Sequence, residues 1–243
     1  PEELNRRVAS LTTRFHFAPT EKAKANLMAE GVPEAHIHVT GNTVIDALQW
    51  VAGRIAASAE KTSYFARMFD YLHPDRRLVL VTGHRRENFG DGFLSICRAV
   101  RRLAAREDVQ VVYPVHPNPN VRGVVDSELS GHERVFLIEP LDYEPFVYLM
   151  QRASILLTDS GGVQEEGPSL GKPVLVMREV TERPEAVLAG TVRLVGSNTE
   201  RIVSEVERLL DDSDAYAAMA RAINPYGDGK ASQRITHVLE RDL

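Results

Sequence analysis

The sequence predicts an α/β protein whose larger part is a parallel β-sheet covered by helices on both faces. From residue 78 onward, short and almost continuously apolar segments alternate with segments whose apolar residues recur at helical spacing. The apolar segments lack the polar–apolar alternation of a sheet with one solvated face, so we expect both faces to be covered. Strands and helices that alternate in this way form βαβ units, which build a Rossmann-like, doubly wound parallel sheet.

Residues 1–42 are predicted to form a helix, a strand, a second helix and a second strand. The first helix is indicated by apolar residues at helical spacing, namely Leu4, Val8 and Leu11. Strands are indicated at residues 15–17 and 36–40, and Thr20 is a candidate N-cap for the helix between them. Two such strands would need neighbours to cover their edges, so we expect the chain to be the C-terminal portion of a longer protein.

The next elements follow from residue 43 onward. A helix is predicted from residue 43 to about residue 57, and residues 58–76 are interpreted as a helix and a loop. Six buried strands are then predicted at residues 78–82, 109–115, 135–138, 154–158, 173–177 and 191–195. Helices are predicted at residues 90–105, 143–152, 162–170, 199–210 and 215–222. The sequence Pro117-Asn118-Pro119-Asn120 is interpreted as a turn.

The composition limits the classes of function. The chain has 243 residues, of which 43% are hydrophobic and 26% charged, which is typical of an ordinary globular protein and excludes a largely disordered one. A formal net charge of −5 gives no general attraction to nucleic acid or to an anionic membrane. The single cysteine, Cys97, excludes internal disulfides and a cysteine-built zinc site. No apolar run is long enough to span a bilayer and no signal peptide is evident, so we expect a cytoplasmic protein.

Polar residues gather where the predicted strands end, which is where doubly wound sheets bind ligands. The most informative segment is Ser160-Gly161-Gly162, between a buried strand and the start of a helix. Two glycines allow a phosphate to approach the backbone, and the amides of the helix start would bind it. Glu166, further along that helix, is suited to sugar hydroxyls such as a ribose diol. A plain turn with a serine N-cap is an equally open interpretation, and neither a Walker loop nor a GxGxxG motif is present.

A second cluster, His84 with Arg85 and Arg86, follows the first of the six strands. It could bind a diphosphate or transfer a proton, although a single histidine is often structural. His116 could simply shape a loop between prolines. Arg183 could supply a guanidinium for a phosphate, or pair on the surface with a neighbouring glutamate. No HExxH motif occurs, so we expect no catalytic metal.

Several long motifs together resemble one family. They are PEELNR, TGNTVIDAL, VTGHRREN, PVHPNPNV, LTDSGGVQEEGPSLGKPVLVMRE, GTVRLVG and NPYGDGKAS, in this order. The chain resembles the non-hydrolysing bacterial UDP-N-acetylglucosamine 2-epimerases from residue 1 to about residue 235. The resemblance implies the two-domain glycosyltransferase-B architecture and reversible interconversion of UDP-GlcNAc and UDP-ManNAc. That reaction eliminates UDP to give 2-acetamidoglucal and adds it back, without cofactor or metal.

The resemblance also implies roles for single residues. His84 corresponds to the active-site histidine near the diphosphate, and Glu2 to a catalytic carboxylate. Substrate-binding roles are implied for Ser160, Gly161, Gly162, Glu166, Arg183 and Phe146, the last through its backbone at the uracil ring. Arg85, Arg86 and His116 match a region where some members bind a second, regulatory UDP-GlcNAc. A homodimer is also implied.

The resemblance further implies a division of the chain. Residues 1–42 correspond to a remnant of the N-terminal Rossmann-like domain, residues 43–222 to the C-terminal UDP-binding domain, and residues 223–243 to a C-terminal helix returning toward the N-terminal domain. The family's GTRPE-like, HGDT-like and HVEAG-like segments do not occur in this sequence. We therefore expect the 243 residues alone to be inactive or nearly so.

Other functions remain open at this point. The same architecture could be the donor-binding half of a glycosyltransferase, and a hydrolysing epimerase that releases ManNAc and UDP is a nearer variant. A non-catalytic nucleotide-sugar binding module is an alternative from another class.

Overall fold

The computed structural model describes residues 1–242. Its helices are α1 (Glu2–Thr12), α2 (Glu21–Ala29), α3 (Thr43–Ala56), α4 (Ala59–Met68), α5 (Asp91–Leu103), α6 (Pro119–Leu129), α7 (Tyr143–Arg152), α8 (Gly161–Glu166), α9 (Pro184–Leu188), α10 (Thr199–Asp211), α11 (Ser213–Ala220) and α12 (Ala231–Asp242). Its strands are β1 (His16–Ala18), β2 (Ile37–Val39), β3 (Arg77–Thr82), β4 (Val109–Pro114), β5 (Val135–Ile138), β6 (Ile155–Thr158), β7 (Val174–Val176) and β8 (Val192–Leu194).

The chain divides into two compact units. The first contains residues 1–49 and the chain from Pro225 onward, and the second contains residues 50–224. The first division therefore falls inside α3, a few residues beyond the bound at residue 42 that the resemblance implies.

The first unit is built around a two-stranded parallel sheet. Strand β1 pairs with β2, with His16 opposite Ile37. The hydroxyl of Thr20 accepts a hydrogen bond from the Ala23 amide, so the predicted N-cap of α2 is confirmed. At the other end of the unit, the Asp46 carboxylate accepts hydrogen bonds from the amides of Ala231 and Ser232, at the start of α12.

The second unit contains one six-stranded sheet, and every pair of neighbouring strands is parallel. Its strand order is β5-β4-β3-β6-β7-β8. Numbered within the unit, this is the order 3-2-1-4-5-6 of a doubly wound sheet, as predicted. The order reverses between β3 and β6, whose last residues, Thr82 and Thr158, lie opposite each other.

Both faces of this sheet are covered. Val79 and Val81 of β3 belong to a buried cluster with Phe93, Ile96 and Val100 of α5, on the face where α5 packs against α6 and α10. Leu78 and Leu80, which point to the opposite face, are also buried, and α7 packs against β3. Strands buried on both sides explain the nearly continuous apolar segments in the sequence.

Two helices of the second unit were not predicted, namely α6 and α9. Both begin with a proline in the first turn, Pro119 and Pro184. Proline suits that position because the first amides of a helix have no partner within the helix. In α6, the side chain of Asn118 also caps the helix by accepting a hydrogen bond from the Asn120 amide. The interpretation of residues 117–120 as a turn therefore holds for the bend at Pro117 and is wrong from Pro119 onward, where α6 begins.

The segment directly after α8 packs closely against the sheet. A Cβ atom added to Gly167 would lie 2.6 Å from Leu156 Cδ1 and 2.7 Å from Val174 Cγ2, so only glycine fits against β6 and β7. Leu156 and Leu157 are consecutive in β6, so their side chains point to opposite faces of the sheet. Leu157 packs in the cluster with α5. The chain after β6 therefore lies on the face opposite α5.

We expect Gly167→Ala to lower the free energy of unfolding by about 1–3 kcal/mol, because the added methyl group overpacks the interior. Urea-induced unfolding measures the change. The control is Gly123→Ala, in the exposed middle of α6 with nothing within 4 Å of the added Cβ. That change should stabilise the protein by about 0.4–1 kcal/mol, by restricting the unfolded chain. Equal stability of the two variants would contradict this account of the packing.

Candidate functional site

A cavity of about 350 Å³ lies at the carboxyl ends of the strands where the sheet reverses its order. Because the chain leaves β3 and β6 toward opposite faces, no connection covers the crevice between their ends. Seven polar, aromatic or glycine residues among those that line it are His84, His116, Tyr143, Phe146, Ser160, Gly162 and Glu166. Six of these seven were predicted as site residues, and the exception is Tyr143.

His84 follows β3 and is held there by a buried carboxylate. Asp159, at the end of β6, is fully buried, and its Oδ2 atom accepts hydrogen bonds of 2.8 Å from the amides of His84 and Arg85. The His84 imidazole is partly exposed and stacks on His116, with ring centroids 5.3 Å apart. The loops after β3, β4 and β6 therefore meet at this histidine.

The turn predicted to bind phosphate lies at the start of α8. Ser160 is the N-cap residue, but its hydroxyl makes no capping hydrogen bond, whereas its amide donates to Thr158 Oγ1 at 2.9 Å. Two guanidinium groups converge on Gly161. The position of a Cβ atom there would lie 3.8 Å from Arg183 Nη2 and 3.9 Å from Arg85 Nη2. Two positive charges next to backbone amides form an environment suited to a diphosphate.

One hydrogen bond and one ion pair place Arg183, in the loop after β7. The Arg183 amide donates to Thr181 Oγ1 at 3.0 Å, and its guanidinium pairs with the nearly buried carboxylate of Glu165. The adjacent Glu182 pairs instead with Arg178, which lowers the pKa of Glu182 to about 2 through their hydrogen bond. Of the two neighbouring glutamates that could pair with Arg183 on the surface, Glu182 and Glu185, the first therefore pairs with Arg178 instead.

Arg178 joins two of the loops around the site. Its side chain is only 4% exposed, and its guanidinium pairs with Glu87 in the loop after β3 and with Glu182 in the loop after β7. Asn88, next to Glu87, donates a hydrogen bond of 3.0 Å to the Met177 carbonyl. These contacts fix the loop of His84 relative to the loop of Arg183.

Glu166 lies on α8 at the wall of the cavity and is 6% exposed. Tyr143, from α7, donates a hydrogen bond of 2.5 Å to its Oε1 atom. Burial raises the pKa of Glu166, an effect that the Tyr143 hydrogen bond opposes and the nearby Glu165 reinforces. A buried carboxylate with one hydroxyl donor already in place is suited to accept hydrogen bonds from further hydroxyl groups.

Of the other predicted site residues, one lines this cavity and others lie elsewhere. Phe146 lines it from α7. Arg86 is exposed, in a short 3-10 turn after His84. Glu2 is exposed in the first turn of α1 and belongs to the first unit. Asp159, Arg178 and Tyr143 were not predicted as site residues. Each binds at least one partner more than twenty positions away along the chain, and no local pattern marks such a contact.

Within residues 1–242, no group of three or more histidine, cysteine or acidic side chains is arranged to hold a metal ion. Over the same residues, no helix has both the length and the apolar character needed to cross a membrane.

Comparison with known proteins connects this site to one family. The sequence model of the UDP-N-acetylglucosamine 2-epimerase family matches residues 1–240. The UDP-N-acetylglucosamine 2-epimerase of Salmonella typhimurium is 55% identical over 241 residues, which are 99% of this chain and 64% of that protein. The chain thus spans just under two thirds of the length of this relative.

Solved structures agree with this result. A crystal structure of the UDP-GlcNAc 2-epimerase from Neisseria meningitidis, bound to UDP-GlcNAc, is 46% identical, with a TM-score of 0.93 over all of this chain and 65% of that one. The Methanocaldococcus jannaschii UDP-GlcNAc 2-epimerase, in complex with UDP-GlcNAc and UDP, is 32% identical, with a TM-score of 0.78 over 94% of this chain and 61% of that one. The extent of the family match and the shared fold lead to one conclusion: the chain belongs to the UDP-N-acetylglucosamine 2-epimerase family.

Proposed function

We propose that the protein containing this chain interconverts UDP-GlcNAc and UDP-ManNAc, and that the second unit of the chain holds the UDP part of the substrate. The observation that carries this proposal is the convergence of Arg85 and Arg183 on the Gly161 turn, at the reversal of the sheet. The similar enzymes from Neisseria meningitidis and Methanocaldococcus jannaschii were solved with UDP-GlcNAc, which supports the choice of ligand.

In this proposal the cavity binds UDP in three parts. The diphosphate lies against the amides of Ser160, Gly161 and Gly162 and between the two guanidiniums. The ribose hydroxyls bind the Glu166 carboxylate beside Tyr143, whose hydrogen bond orients that carboxylate. The uracil ring lies near Phe146, at the wall that α7 contributes.

The chemistry makes two demands on the protein. The hydrogen at C2 of the sugar is weakly acidic, so a base must be positioned for its removal while the C1–O bond to UDP breaks. UDP must then stay bound until it adds back to the 2-acetamidoglucal, which requires a strong diphosphate site. His84, beside the proposed diphosphate position, is assigned to proton transfer or charge stabilisation in these steps. Glu2 is proposed as a further catalytic carboxylate.

The finer expectations from the resemblance are proposals of the same kind. We propose that the complete protein is a cytoplasmic homodimer that serves cell-envelope polysaccharide synthesis, and that some regulation by a second UDP-GlcNAc involves Arg85, Arg86 and His116. We also propose that the 243 residues alone turn over little substrate, because the chain spans about 64% of the length of its relative.

The role of Glu166 is tested by Glu166→Ala. Loss of the carboxylate should weaken UDP binding by about 1.5–3 kcal/mol, or roughly 10- to 150-fold in Kd, because hydrogen bonds to a charged group are lost. Isothermal titration calorimetry on the complete protein measures the affinity. The control is Glu133→Ala, at an exposed position in the turn before β5. An unchanged Kd for the Glu166 variant would refute the ribose role.

The raised pKa of Glu166 predicts that this residue's contribution to the stability of the protein depends on pH. Because burial raises the pKa of Glu166 above its ordinary 4.5, ionising this group costs stability as the pH rises through the raised value. Glu166→Gln removes that cost, so without UDP the variant should have a higher Tm than the parent at pH 8. The difference should shrink toward pH 5, where the parent carboxyl is increasingly neutral. Thermal scans at both pH values measure it, and a difference that is constant or larger at pH 5 would contradict this view.

The role of His84 is tested by His84→Ala in the complete protein. Turnover of UDP-GlcNAc should fall by about 10²–10⁴-fold, as expected when a proton-transfer group is lost, with little change in Tm. Turnover is measured by NMR in D₂O. An epimerase incorporates deuterium at C2 of the sugar, whereas a glycosyltransferase does not. The control is His73→Ala, an exposed histidine that precedes β3. If the Tm of the His84 variant collapses instead, the histidine is structural.

A further inference from the structure

The two oxygens of the Asp159 carboxylate differ in their hydrogen bonding. Its Oδ2 atom accepts the two amides of His84 and Arg85 described above. Its Oδ1 atom is buried and has no hydrogen-bond partner within residues 1–242. Leaving a buried carboxylate oxygen without a hydrogen bond costs free energy, so we expect a donor close to this atom.

The His84 imidazole is in position to supply that donor. His84 Nδ1 lies 3.7 Å from Asp159 Oδ1, slightly beyond hydrogen-bond distance. A small rotation of this ring, which is partly exposed and stacked on His116, would close the gap. One other donor nearby is also buried and unpartnered, namely Arg85 Nε. The guanidinium of Arg85, however, has its Nη2 directed toward Gly161, where the diphosphate is proposed to bind.

We propose that Asp159 is a positioning residue that sets both the place and the tautomer of His84. Its Oδ2 atom holds the backbone of the histidine at the end of β3, and its Oδ1 atom accepts the Nδ1–H of the ring. The neutral imidazole then carries its proton on Nδ1, and Nε2 keeps the lone pair with which it accepts a proton in the reaction. The consequence for turnover rests on the proposed function, whereas the tautomer itself does not.

Asp159→Asn separates the two tasks of the carboxylate. The amide oxygen of asparagine can still accept the backbone hydrogen bonds, so the loop keeps its acceptor. The amide nitrogen then faces Nδ1 as a donor, which favours the tautomer protonated on Nε2. In the complete protein we expect kcat to fall roughly 10²- to 10⁴-fold, as for a histidine held in the wrong tautomer, while KM for UDP-GlcNAc changes less than about threefold.

The tautomer is measured directly in the complete protein labelled with ¹⁵N-histidine. Long-range ¹H–¹⁵N spectra at alkaline pH distinguish Nδ1–H from Nε2–H, and the signals that disappear in His84→Gln identify the residue. We expect Nδ1–H in the parent and Nε2–H in Asp159→Asn. A parent protein with His84 protonated on Nε2 would overturn the proposal, and this reading does not depend on whether the variant folds.

The matched control is Asp212→Asn. Asp212 Oδ1 likewise accepts two backbone amides, those of Asp214 and Ala215, at the start of α11, where it caps the helix. This change should leave kcat and the His84 spectrum unaltered. If Asp159→Asn also leaves both unaltered, Asp159 only caps the loop and the proposal is wrong. If the parent neither binds UDP nor turns over UDP-GlcNAc, the proposed function fails instead, whatever the tautomer.

Discussion

A single buried carboxylate joins the two loops at which the sheet reverses its strand order. Asp159 directly follows β6 and accepts hydrogen bonds from the amides of His84 and Arg85 in the loop after β3, so the two loops are joined at one residue. In a doubly wound sheet this place is left uncovered by helices, because the chain leaves the two strands toward opposite faces. The other features of the site depend on this junction, since it decides where His84 and Arg85 stand relative to the turn at Gly161.

Charges of both signs face the glycine turn at the start of α8. Arg85 and Arg183 face the turn at Gly161, where a diphosphate would meet two guanidiniums and backbone amides. Glu166 lies one helical turn further on, buried against Tyr143, and burial disfavours its ionisation. Its Oε2 atom lies 3.9 Å from where a Cβ atom of Gly162 would stand, so the carboxylate faces the glycine next to the one that the guanidiniums face. In the proposed binding mode the diphosphate therefore lies on the side of Arg85 and Arg183, and the neutral ribose hydroxyls lie on the side of Glu166.

Much of this fold could be predicted from sequence because burial on both faces leaves a strong signal. The six strands and the polar residues at their ends were predicted in this way, and the rule that ligands bind at those ends singled out both the His84 cluster and the turn at Ser160–Gly162. Helices α6 and α9 were missed because Pro119 and Pro184 suggest turns, although proline also starts helices. Tyr143 and Asp159 were missed because the hydrogen bonds that give them meaning are formed with residues distant in the chain.

The central claim is that the loops after β3, β6 and β7 together bind the diphosphate of a uridine nucleotide. A crystal structure of the complete protein with UDP tests it most directly. The account predicts phosphate oxygens within hydrogen-bond distance of the Gly161 and Gly162 amides and of the Arg183 guanidinium, with the ribose hydroxyls on Glu166. UDP bound at another place, with this crevice holding only solvent, would contradict it.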